Sequence, residues 1–260
     1  GISPDKGSHV LMYGARVGEE SCPLHSRRAF EAMFPEYFPA DDSALNISMH
    51  SALYDSSPDY WNQQASHLEY EFDRYVRREI ERSNIKHLSV FALAPQPLLI
   101  RLGALITDKV PAVVYQLHRE PPTWNWLQHP ENFEFLVNEP DGKNGPPVLV
   151  FSLSAKIAHE RVEAALGRNC SVWELTSTDC HNDFIRSEAQ VSMFRKSVRQ
   201  ILARIKEMHP ESDELPVFPA MPVSCAIELG RVRMPKADIP WVLYDQNNKR
   251  GGFIEGIRIG

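Results

Sequence analysis

A chain of 260 residues, 43% hydrophobic and 24% charged, has the makeup of an ordinary globular protein with room for one large domain or two smaller units. Its formal net charge of -6 gives no long-range push toward nucleic acid or an anionic membrane, so any anionic ligand must be held by local donors. Cys22, Cys170, Cys180 and Cys225 stand far apart with no C-x-x-C pair, which argues against a structural zinc or a dense disulfide framework and fits a reducing, cytoplasmic setting. No apolar run approaches the roughly 20 residues that span a bilayer, and the N-terminus lacks a signal-peptide layout. The polar, turn-prone opening Gly1 to Gly7 reads as a linker, with a further module expected upstream.

In chain order, His9 to Gly14 reads as a first strand, Ala44 to Ala52 as a second, His87 to Ala94 as a third and Pro111 to His118 as a fourth, with helices between them. From about Trp61 to Arg82, Ala65, Leu68, Phe72, Val76 and Ile80 recur at helical spacing with a charged opposite face. Leu98 to Ile106, following Pro95-Gln96-Pro97, predicts a short helix that is apolar nearly all round and hence buried. After a turn-rich bridge at Pro140 to Pro147, the alternation restarts with a strand at Val148 to Leu153, a helix to Leu166 and a strand at Ser171 to Leu175. A long helix is expected from about Phe184 to Met208, then strands near Val223 to Leu229, Trp241 to Tyr244 and Phe253 to Ile259. The class is α/β, with mainly parallel sheets in two successive units, residues 1–140 and 141–260, and a cleft between them. In such folds ligands sit beyond the carboxyl ends of the strands, where helix starts offer free amides.

Several strings add up to a family resemblance. The run Phe91 to Gly103, continued by Lys109-Val110-Pro111, Tyr115-Gln116-Leu117-His118-Arg119 and the Trp124-x-Trp126 pair, resembles the core of SAVED domains. So do Phe218 to Val223, Glu228 to Arg231, Met234 to Asp238 and Trp241 to Asp245. The resemblance implies two fused CARF-like, Rossmann-type units. It further implies a sensor that binds a cyclic di- or trinucleotide, such as a cyclic GMP-AMP made by a cognate nucleotidyltransferase, and then forms a homo-oligomer. The closest likeness is to effectors of bacterial anti-phage (CBASS) defence that carry an HNH DNA endonuclease ahead of the sensor. Catalysis, DNA contact and a divalent metal would belong to that absent module, and the chain itself would need no cofactor or membrane.

A ring-shaped, phosphate-bearing ligand needs donors at loop or helix starts, a cation or two and aromatic faces. After the strand ending at Leu153, Ser154 is placed to cap the next helix and Lys156 to reach a phosphate, although a plain cap with a solvated lysine is the simpler reading. Tyr13-Gly14-Ala15-Arg16 holds the matching place in the first unit, where glycine permits close approach and Arg16 can fork onto a phosphate. Gln96, fixed between prolines, is a candidate to read a base edge. Of Trp124 and Trp126, which face opposite ways if extended, at most one stacks a base while core packing is the competing role. Thr176, Ser177 and Thr178 end another strand as candidate donors to ribose or phosphate, with helix capping by Asn182 or Asp183 the simpler account of that end. Arg231, with Arg233 and Lys236, forms a basic cluster that lines the cleft, an oligomer contact or only solvent.

Enzyme readings fare worse. The Walker, dinucleotide and nucleophile-elbow motifs are all missing from the sequence. Asp179, His181 and Asp183 make a poor metal site because alternate residues diverge on a strand. A ring nuclease that cuts its own cyclic ligand is the alternative, with His50, His118 or His159 as acid or base, yet nothing marks a general base beside a ribose hydroxyl.

Overall fold

The computed structural model describes residues 4–19, 21–50, 59–247 and 252–260. In the first lobe the elements are β1 (Gly7–Gly14), α1 (Ser26–Met33), β2 (Phe38–Pro39), β3 (Leu45–Ser48), α2 (Tyr60–Phe72), α3 (Arg78–Glu81), β4 (Leu88–Leu93), α4 (Gln96–Ile106) and β5 (Ala112–Val114). The second lobe holds β6 (Phe135–Asn138), β7 (Pro147–Ser152), α5 (His159–Leu166), β8 (Ser171–Ser177), α6 (Glu188–Met208), β9 (Leu215–Ala220), α7 (Val223–Val232), β10 (Trp241–Asn247) and β11 (Gly252–Ile259). A π-helical turn, Asp73–Arg77, joins α2 to α3, so the predicted helix to Arg82 is continuous but loosened in its second half. The predicted second strand ends at Ser48, and its last residues, from 51 on, lie outside the described residues.

The expected mainly parallel α/β architecture is present. In the first sheet β1 pairs in parallel with β4 on one side and with both β2 and β3 on the other, and β4 pairs in parallel with β5. The second sheet runs β11-β10-β9-β7-β8-β6, parallel except where β11 meets β10 and β6 meets β8. Although β6 precedes residue 140, its ladder partner is β8 of the second sheet. Inner strand faces read as continuous apolar runs, such as Val148-Leu149-Val150-Phe151, because helices cover both sides of a parallel sheet. Ser187 accepts from the Gln190 amide and Gln190 reaches back in a capping box, which starts α6 at Glu188, after the predicted Phe184.

One predicted strand is overturned: Val223 to Leu229 is α7, a helix with every one of its residues buried except Val223 at its start. Pro222 serves as its N-cap, and the strand of this region is β9, immediately before it. The helices α4 and α7 make the most extensive helix–helix contact of the fold. They run side by side in the same direction, since Gln96 touches Met221 at one end and Arg231 touches Thr107 at the other. Their sequences repeat a spacing: proline, isoleucine five residues on and glycine eight on, as Pro95, Ile100, Gly103 and Pro222, Ile227, Gly230. Each glycine faces the other helix's carbonyl, Gly103 the Ile227 oxygen and Gly230 the Ile100 oxygen, so the backbones are in direct contact.

The expected gap between halves therefore does not run through the middle of the molecule. A single apolar cluster extends from Leu11 and Val90 through Leu98, Ile100, Ile227 and Leu229 to Leu149 and Val217. Separate clusters lie under α1 and under α5, on the outer faces. Among the described residues open grooves flank the seam, one between α2, α4 and β11, another between β5, α6 and α7, and a third between Glu120 and the loop around Asp183.

The second of these grooves is lined by His87, which stacks on Tyr37 with ring centroids 4.2 Å apart and whose Nδ1 lies 2.7 Å from the Ser8 hydroxyl. Burial, and then the nearby Arg231 guanidinium, lower its pKa to about 4. The folded state thus favours neutral imidazole, while the unfolded chain takes up a proton near pH 6.5. Stability contributed by this site is complete above pH 6.5 and declines as pH falls toward 4. A proton held only by the unfolded chain lowers stability by about 1.4 kcal/mol for each pH step, and water reaches part of the ring, so the expected loss is at most about 2 kcal/mol. Urea midpoints from pH 7 to 4 should fall less steeply in His87→Gln than in the parent chain; equal slopes would show that other groups drive the decline.

Candidate functional site

The carboxyl ends of β1, β4, β5, β7, β8 and β9 gather at one edge of the molecule, and both α4 and α7 start there. This edge is built by side chains that cross from the first lobe to the second. The Gln96 amide exchanges hydrogen bonds with the Met221 backbone, donating to its carbonyl at 2.8 Å and accepting from its N–H at 3.3 Å. Gln116, two residues beyond β5, accepts from both the N–H and the hydroxyl of Ser224, at 3.0 and 2.8 Å, in the first turn of α7. The helix starts are thus partly capped from across the seam, and Pro97 removes a further N–H from α4. The free amides expected there are fewer than the fold class suggests, so recognition of an anion falls more heavily on the neighbouring loops.

The loop after β7 is held by its own network. Ser152 is the hub: its hydroxyl donates to Glu174 at 2.7 Å and accepts the Ile157 N–H at 3.1 Å, while its carbonyl accepts from Thr176 at 2.6 Å. Leu153 and Ser154 both donate backbone N–H groups to the Ala220 carbonyl. The helix predicted here begins only at His159, with Ala158 as its N-cap, so Ser154 is not the cap it was expected to be. Lys156 rides on this pinned loop, exposed and without a partner among the described residues.

The remaining predicted residues scatter. Arg16 is exposed in the loop after β1, where its guanidinium donates to Glu19 at 2.8 Å and Ser21 at 3.0 Å. Gly14 serves packing, since a methyl there would press on Leu24 and the Leu93 carbonyl oxygen. Tyr13 is fully buried, with a hydroxyl that finds no partner among the described residues and a pKa raised by burial. Trp124 packs edge-on against Phe91 and donates to the Pro23 carbonyl at 3.0 Å. Trp126 is half-buried and stacks on Tyr115. Thr178 bonds the Glu134 backbone. Arg231 lies at the opposite end of α7, away from the edge, 4% exposed at the groove between β5, α6 and α7, with its donors spent on Thr107, Val110 and Glu228.

A strap beyond β5 binds the lobes on the same side. The Asp183 carboxylate accepts the Arg119 and Glu120 N–H groups at 3.0 and 3.2 Å, and Arg186 donates to the Glu120 carbonyl at 2.8 Å. Beneath it His118 is 1% exposed, and burial followed by Arg186 lowers its pKa, keeping it neutral although Asp183 and the Ile185 and Asn125 backbone act the other way. Among the described residues no group of acidic, histidine and cysteine side chains is arranged to hold a metal ion, and no helix is long and apolar enough to cross a membrane. Gln116 stands out in the sequence only as part of the family-like string Tyr115 to Arg119 and Asp183 only as a poor metal ligand or a helix cap, while Arg186 is not singled out; none reads as a contact between the lobes. Only Ser224, two residues past Pro222, hints that a helix start there needs capping.

The fold and its edge define a class: a mainly parallel α/β domain with two sheets, joined by a parallel pair of buried helices. More narrowly, the family model for the SAVED domain, the "SMODS-associated and fused to various effectors sensor domain", matches residues 68–259, and the chain belongs to that family. Among solved structures, the Acinetobacter baumannii Cap4 SAVED/CARF-domain containing receptor with the cyclic trinucleotide 2'3'3'-cAAA is similar, at a TM-score of 0.59 and 13% identity over 96% of this chain and 51% of that one. The same receptor with 3'3'3'-cAAA gives 0.56 at 12% identity, covering 95% of this chain and 51% of that one. The Moraxella osloensis Cap4 receptor gives 0.53 at 13%, covering 97% and 50%. This chain thus spans about half the length of those receptors. No curated protein matches it.

Proposed function

We propose that this chain is a receptor domain for a cyclic oligonucleotide, bound over the strand-end edge where α4 and α7 start together. The observation that carries the reading is the pair of helix starts bridged by Gln96 and Gln116 in a chain of the SAVED sensor family. A ligand seated there contacts both lobes, and any change in their relation passes along a helix pair with no slack between its backbones. Lys156 on its pinned loop supplies the cation for a phosphate, with Arg16, Ser154 and Thr178 on neighbouring loops and Gln96 and Trp126 facing the bases. Tyr13, Trp124, Thr176 and Arg231 support the edge from within or from the far end. In the whole protein, ligand made by a cognate nucleotidyltransferase drives homo-oligomers that activate an attached effector in anti-phage defence, an HNH DNA endonuclease with its divalent metal. The chain itself acts as a sensor, not a catalyst, in the cytoplasm.

Calorimetric titration with cyclic di- and trinucleotides, against a linear trinucleotide, tests this. At least one cyclic ligand should bind and be recovered intact, and Lys156→Ala should weaken it about 10-fold to 100-fold, the worth of one charged hydrogen bond. Absence of binding by every cyclic ligand would overturn the reading. Undiminished affinity in Lys156→Ala would remove this lysine from it.

A further inference from the structure

The second sheet ends on β6, Phe135-Leu136-Val137-Asn138, whose ladder partner is β8. Thr178 donates its N–H to the Glu134 carbonyl, and from that pair the antiparallel alternation turns the backbone of Leu136 and Asn138 toward β8 and that of Phe135 and Val137 outward. Among the described residues no other element bonds those outward N–H and C=O groups. Side-chain packing leaves the strand open on both faces. Phe135 and Val137 lie on the α6 face, where Phe135 meets Phe194, and Leu136 lies on the other, yet Leu136 and Val137 are 40% and 41% exposed.

The other sheet margins carry features that discourage pairing with another chain. β2 ends in Pro39, β5 follows Pro111, β3 turns Asn46 and Ser48 to solvent, and β11 carries Glu255, Arg258 and an irregular register. β6 has an even register with no proline or charge, and two neighbouring apolar side chains stand in water.

One occupant answers this edge: the same strand of a second copy, antiparallel across a two-fold axis at Leu136. Phe135 then faces Val137 of the second copy, so outward-bonding residues meet and exchange both their N–H and C=O bonds. Leu136 sits on Leu136, and Glu134 meets Asn138, so no carboxylate opposes another. A slip of one residue sets outward backbone against inward and forms no ladder, and a slip of two puts Leu136 opposite Glu134 or Asn138. We propose that β6 is a self-pairing edge through which two copies of this chain form a dimer without nucleotide, the second sheet of one running on into that of the other. With four residues a side the contact is small, so the dimer is reversible and appears with rising concentration.

Sedimentation velocity of the nucleotide-free chain from about 10 µM to about 1 mM should show the mass of one copy giving way to that of two. Over the same range amide exchange at Phe135 and Val137 should slow about tenfold or more. Val137→Pro deletes an outward donor and leaves every bond to β8, and Leu136→Lys sets two like charges together on the axis; each should hold the chain at the mass of one copy throughout. A single mass for the parent at every concentration, a doubled mass without slower exchange at Phe135 and Val137, or a dimer that persists in Leu136→Lys would each overturn the proposal. Leu136→Lys lies at an exposed position, so it decides the matter even if Val137→Pro does not fold. No nucleotide is present, so failure here leaves the receptor reading untouched.

Discussion

Gly103→Ala is expected to destabilise the chain by more than about 3 kcal/mol, beyond the usual range for overpacking. In an ordinary helix interior the same change stabilises by roughly 0.5–1 kcal/mol, because alanine loses less backbone freedom. Here the new methyl would overlap the Ile227 carbonyl oxygen, with the Arg231 amide nitrogen 2.9 Å away. Both obstacles are backbone atoms of a buried helix, so no side chain can swing aside and α4 and α7 must separate. The same argument applies to Gly230→Ala, where the Ile100 carbonyl and the Ala104 nitrogen at 2.6 Å stand in the way. Urea unfolding followed by far-UV circular dichroism measures the loss. A midpoint unchanged or raised in either variant would show that the lobes are not joined by helix-on-helix contact at these glycines.

That joint also shows where sequence reasoning works and where it stops. Helix α4 was legible because two prolines mark its start and its apolar run is no longer than a short helix can bury. Its partner α7 has the same proline-to-glycine spacing, but Val223 to Leu229 is a short apolar run rich in branched residues, which periodicity alone cannot assign to helix or strand. Ser224, Glu228 and Arg231 do fall at helical spacing, but they are buried, and the segment that reads as a strand stops at Leu229, too short to show the repeat. The neighbouring strand β9 escaped notice for the opposite reason: it contains Pro216 and Pro219, residues that argue against a central strand, yet it pairs with β7 and β10. Loops after β1 and β7 were legible as candidate ligand loops from their position after strands. What could not be read is every contact across the seam. Gln96 and Met221 are 125 residues apart and Gln116 and Ser224 are 108 apart, so their pairing exists only once both sheets have formed.

Arg231 carries the second large effect. Arg231→Met should cost about 3–5 kcal/mol, the range for removing one partner of a buried ion pair. Its guanidinium donates to the Thr107 carbonyl at 3.1 Å and the Val110 carbonyl at 3.0 Å, past the end of α4, and to Glu228 one turn back on α7 at 2.6 Å. Glu228, 2% exposed, also pairs with Arg195 of α6. Removing Arg231 leaves two carbonyls unanswered and the carboxylate with a single, partly exposed cation. Methionine matches the side chain's reach and apolar stem, so the loss reports the missing donors more than a void. Replacing Glu228 as well, in Arg231→Met with Glu228→Leu, should recover part of the stability, because no buried carboxylate then lacks its partner. The double-mutant cycle measures this recovery as a coupling energy. If Arg231→Met unfolds at the parent's urea concentration, or the second substitution only adds to the loss, the lobes are held at this end by apolar packing alone and the buried triad is incidental.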